Sequence, residues 1–195
     1  MLTGLTAVEK LSEAAFWLEK IHAPFKDVKE GTAIILIKDA LKAWKSYLSA
    51  FLTSMRSIPD YLLEDYNVKH SLGIHLTDKL YPETFLERVN RLKDTNERHR
   101  ALNFLKWWKT KMKEMKEDPI CSFLIKLRDI SVHRQQIQPD TIKVTLFTSK
   151  DSEQSKPAIV HGWFFKGYED EDVLKMCDKY FAIMKKFVEE AEQFI

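Results

Sequence analysis

The chain has 195 residues, 45% hydrophobic and 31% charged, with a formal net charge of +2. That length supports one well-buried core, so a single domain over 1–195 is expected, and a charge so near neutrality points to no class of partner. Five glycines that never cluster exclude a phosphate-cradling loop or a dinucleotide-binding turn.

From the N-terminal end, Thr6 to His22 reads as a first helix with Val8, Leu11, Ala15 and Leu18 on one side. Ala23 and Pro24 stop it. Glu9, Lys10 and Glu13 interrupt this segment, so no secretory leader is expected. The apolar run Ile34 to Ile37 is far short of a membrane span, so no membrane association is expected either. From Ile34 the apolar residues step by three or four through Ile37, Leu41, Trp44, Leu48, Phe51, Met55 and Ile58. This predicts a long bundle helix ending before Pro59.

Asp60 to Tyr81 reads as short helical turns that cross the end of the bundle. His70 and His75, even with Asp78, lack the spacing of a metal site and read as scattered polar residues. Pro82 opens a third long element carrying Phe85, Val89 and Leu92, then Leu102, Leu105, Trp108, Met112 and Met115. This is either one helix or two, broken near Asp94, which precedes Glu97 at capping-box spacing. Of the adjacent tryptophans, core packing suits one of Trp107 and Trp108, and a helix or dimer contact the other. Between Arg98 and Lys116 there are seven basic residues and one acidic residue, Glu114. The run reads as a solvated helix face or as a phosphate-facing surface that binds nucleic acid without chemistry.

Asp118 and Pro119 form a strong helix start. The helix they open carries Ile120, Phe123, Leu124, Leu127 and Ile130 on one face. A second stripe of Cys121, Ile125 and Val132 calls for cover from elsewhere in the chain or from a second copy. After Gln135 to Pro139 the pattern changes to alternation. Thr141 to Phe147 and Ala158 to Phe165 read as a two-stranded antiparallel ribbon attached through Trp163, Phe164 and Phe165. Acidic residues 169–172 precede a last helix through Val173, Cys177, Phe181, Met184, Val188 and Ile195. The expected fold is thus mainly α: a bundle core over 6–138, a ribbon over 139–167 and a C-terminal helix over 168–195. Cys121 and Cys177 read as buried thiols of a cytoplasmic protein.

The residues with chemistry sit late in the helix that Asp118 opens. Asp129 and His133 are four apart and share a helix face, so the carboxylate can orient the imidazole. Arg128 supplies bidentate positive charge, and a histidine titrates where it can serve as base or acid. Arg128 and His133 lie about 140° apart on an ideal helix. Convergence on one phosphate therefore needs a loosened helix end or a twofold partner.

Arg128-Asp129-Ile130-Ser131-Val132-His133 resembles the Arg-x4-His signature of the HEPN superfamily, a group of long-helix bundles. That resemblance implies Arg128 as the phosphate-contacting arginine, Asp129 at the polar second position and His133 as the catalytic histidine. It also implies a metal-independent endoribonuclease without cofactors, acting on RNA as a homodimer. Such a protein would be a toxin or defence effector beside an antitoxin or another protein partner. The alternative is a non-catalytic helical interaction or scaffold protein. Asp129 stands where the family usually has asparagine, and the ribbon and last helix have no counterpart in the minimal bundle.

Overall fold

A computed structural model describes residues 6–26, 38–74, 82–133, 141–147, 158–165, 168 and 171–195. The first helix, α1 (Ala7–His22), opens with a capping box: Thr6 Oγ1 accepts from Glu9 N, and Thr6 N donates to Glu9 Oε2. Its free Ala7 N–H donates to Asp65 Oδ2 at 2.8 Å on the next helix. A 3-10 turn, Ala23–Phe25, follows.

The next helix, α2 (Lys38–Lys69), corrects the sequence expectation, because it runs straight through Pro59. Proline inside a helix costs about 3 kcal/mol through its missing N–H and its ring. Beyond Pro59, however, Leu62, Leu63 and Tyr66 are all buried. Three such side chains return about 1.5–3 kcal/mol each, which exceeds the penalty. The Pro59 carbonyl also accepts from Trp108 Nε1 at 3.0 Å. Asp60 to Lys69 is therefore helix rather than a set of short turns.

The end of α2 is held by Asn67, whose side chain is buried. Its Nδ2 donates to Ile74 O at 2.9 Å and its Oδ1 accepts from Ile74 N at 3.1 Å. Between them Ser71 and Gly73 adopt positive φ, which turns the chain back on itself.

The third element is two helices, α3 (Pro82–Asn90) and α4 (Thr95–Glu117). The break lies at Asp94, whose carboxylate accepts from Asn96 N at 2.7 Å and Glu97 N at 3.0 Å. Asp118 separates α4 from α5 (Pro119–His133), and its side chain caps the new helix by accepting from Cys121 N at 3.0 Å. The same carboxylate pairs with Lys179 at 2.8 Å on α6 (Val173–Ala191), which Asp172 caps in turn.

All six helices contribute to one buried cluster. The last helix is part of it, because Val173, Met176, Cys177, Tyr180, Met184 and Phe187 are all buried. At one end Tyr66 stacks on Phe104 at 4.1 Å, and Trp107 meets Phe187 and Phe194 at 5.1 and 5.0 Å. Trp108 is the core tryptophan and Trp107 makes the contact to α6.

The expected fold class needs correction in how its parts share the core. The protein is mainly α, and among the described side chains helices supply that core almost entirely. The pairing of β1 (Thr141–Phe147) with β2 (Ala158–Phe164) is described as a backbone ladder only, with Thr141 opposite Phe164. The side chains of Trp163 and Phe164, expected to attach it, lie outside the described ones. The described anchor is Phe165, just past β2, which meets Phe123 at 5.3 Å, while Tyr168 meets the same ring at 4.3 Å. These contacts, with buried Cys121 and half-buried Ile125, cover part of the α5 surface that sequence left unclaimed.

Candidate functional site

The motif helix α5 packs against α2, the helix that carries Asp60. Arg128 is half-buried, with its Nε atom buried. On α2, Asp60 stands within reach of two cations: Arg56 Nη1 lies 3.8 Å from its Oδ2, and Arg128 acts on it by charge. Burial pushes the Asp60 carboxyl above the usual carboxylate range, and Arg56 and Arg128 pull the other way without cancelling it. The charge of Arg128 is thus felt by a carboxylate of its own chain. Asp129 and His133 belong to α5 by backbone, but their side chains lie outside the described ones.

Other titratable groups are engaged in structure. His70 Nε2 lies 3.2 Å from Phe194 O, while His75 and Asp78 lie outside the described residues. Burial drives both thiols away from reactivity, Cys121 to about 12 and Cys177 higher still. Among the described residues no group of three or more His, Cys, Asp or Glu is placed to hold a metal ion.

Three surface cavities stand out among the described residues, and none of them is lined by Arg128. One of about 650 Å³ lies between α1 and α2, where Lys10, Glu13 and Ser54 already bond to one another. One of about 260 Å³ lies between α4 and α6, where Lys111 bridges Glu114 at 3.2 Å and Glu190 at 3.0 Å. The third, about 410 Å³, lies between α3 and α4. Its floor is Leu86, Leu102 and Leu105, and its rim is Lys106, Lys109 and Lys113.

That third cavity joins a larger feature. On a wheel of about 100° per residue, Arg98, Lys106, Lys109, Lys113 and Lys116 fall with Leu102 inside one sector of about 80°. The remaining two basic residues of the run, Arg100 and Lys111, face the other side. The four lysines of the sector are exposed, and Leu102 is 37% exposed in their midst. Among the described residues Lys113 pairs loosely with Glu117 at 3.6 Å, while Lys106, Lys109 and Lys116 make no ion pair. Sequence reading placed Leu102 in the inward stripe with Leu105 and Trp108. The wheel sets it about 120° from the buried centre of α4, and that was the signal available.

No protein-family model, curated protein or solved structure matches this chain. The resemblance to the HEPN superfamily and the endoribonuclease reading built on it are therefore corrected. A six-residue motif without matching context carries neither, and the charge of Arg128 acts on Asp60 of its own chain. The toxin and defence role falls with them. Among the described residues no helix is long and apolar enough to cross a membrane.

Proposed function

We propose that this chain is a non-catalytic helical interaction protein whose working surface is the outward face of α4. The observation that carries this reading is the gathering of Arg98 and four lysines around exposed Leu102, beside a groove floored by leucine. A merely solvated helix face mixes both signs of charge, whereas this sector of α4 gathers five cations and no carboxylate. Apolar floor and charged rim are the ordinary make-up of a protein-binding patch. The partner of this surface is another protein. A second copy meeting it by twofold symmetry would set lysines against lysines, so any homodimer uses a different face. RNA would satisfy the lysines but has no stripe of apolar groups for the leucines. The two buried thiols support a cytoplasmic setting.

The test is a photo-crosslinking amino acid in place of Leu102 and, separately, of the exposed Lys42 on α2, with irradiation in the cell that makes the protein. A discrete protein adduct from position 102 and none from position 42 is expected. Adducts of equal yield from both positions, or none from position 102, refute the reading.

A further inference from the structure

The geometry points to an acidic amphipathic helix as the partner that lies in the α3–α4 groove, its apolar stripe on Leu86, Leu102 and Leu105 and its carboxylates against Lys106, Lys109 and Lys113. The inference rests on the reading of this face as the working surface, and adds the chemistry and shape of what binds there.

Three features select this occupant. The first is charge. Among the described residues no acidic one lines the groove, and its three lysines sit on one rim, so the complement is a segment with carboxylates along a single edge. The second is the floor. Leu102 is exposed and Leu86 half-buried, so covering them removes apolar surface from water, which a phosphate backbone would not do. The third is length. From Leu102 to Lys113 the groove follows about three turns of α4, or about 17 Å at 1.5 Å per residue, which matches a partner helix of similar length. The lysines recur at spacings of three and four, the same period at which a helix laid alongside would present its carboxylates.

Fluorescence anisotropy with labelled peptides tests this on the full chain. The probe is a peptide of about 14 residues with leucines at i, i+3, i+7 and i+10 and glutamates along one flank of that stripe. Its controls are a scramble of the same composition, a version with lysine for each glutamate, and a short oligouridylate. Expected is saturable binding of the patterned peptide, weakened about tenfold or more by scrambling and by charge reversal. Binding should weaken as salt rises past the point where rim charges are screened. The triple variant Lys106→Glu, Lys109→Glu, Lys113→Glu and the single variant Leu102→Asp should each abolish it. Both alter exposed positions, and unchanged circular dichroism melting shows that their fold is intact.

Equal binding of the scrambled peptide would mean charge attraction without a groove, and overturns the proposal. So would tighter binding of the oligouridylate, or no binding of the patterned peptide. If the peptide fails while position 102 still crosslinks to a cellular protein, the partner chemistry is wrong and the working surface stands. If both fail, the surface itself is wrong.

Discussion

Asp118 is the joint between α4, which carries the proposed surface, and α5, and replacing it tests how that joint is held. Its carboxylate does two things at once: it caps α5 through Cys121 N at 3.0 Å and it pairs with Lys179 of α6 at 2.8 Å. Asp118→Ala removes both. A lost N-cap costs about 1 kcal/mol and a partly exposed ion pair about 0.5 kcal/mol, so about 1.5 kcal/mol in all is expected. For a chain of this size that is a fall in Tm of about 3–6 °C. Asp118→Asn keeps a good capping oxygen and loses only the charge, so it should fall by about 0.5 kcal/mol. Lys179→Met should match it, and adding Lys179→Met to Asp118→Asn should cost little more, because the same pair is already broken.

Acidity separates the two roles further. Burial alone would raise the Asp118 carboxyl, but Lys179 and the Cys121 N–H outweigh it and hold it below the ordinary value of 3.8. A depressed carboxyl adds stability above its unfolded value and loses it as pH falls through its folded one. The advantage of the wild-type chain over Asp118→Asn should therefore be constant near neutrality and disappear below 3.8. Urea titrations followed by circular dichroism at several pH values provide the measurement. A gap that persists in acid, or an Asp118→Ala variant as stable as the wild type, would refute this account of the joint.

Removing the cation in Arg128→Gln should push the Asp60 carboxyl higher, as read by NMR titration of its side-chain carbon; an unmoved Asp60 would mean Arg128 does not face α2. Neither Cys121 nor Cys177 should react with a thiol reagent at mildly alkaline pH until the protein is unfolded, and rapid reaction of either in the native protein would contradict its burial. Asn67→Ala strips two hydrogen bonds from a buried turn and should cost about 2 kcal/mol in chemical denaturation, whereas a neutral result would show that the turn closes without it. Pro59→Ala should be neutral or stabilising by up to about 3 kcal/mol, and a clear loss would mean that α2 depends on the bend proline imposes.

What sequence alone determined was local. Asp94, Asp118 and Asp172 announce helix starts because an aspartate cap satisfies N–H groups only two or three residues away. The period of apolar residues located the buried faces of α2 and α6 for the same reason, since a face is a property of one helix. The course of the chain at Pro59 was different, because local preference says stop there. The burial of Leu62, Leu63 and Tyr66 against other helices reverses that preference, and no window around Pro59 contains those partners. Arg128 follows the same rule: its spacing to His133 is legible in the sequence, but the carboxylate its charge acts on, Asp60, lies sixty-eight positions earlier on α2. The α4 surface lay between these cases. Its basic residues could be counted, and the wheel could gather them, but Leu102 became part of a groove only when α3 brought Leu86 beside it. Caps and periods are written along one segment, whereas grooves and ion pairs belong to two, and only packing decides which two meet.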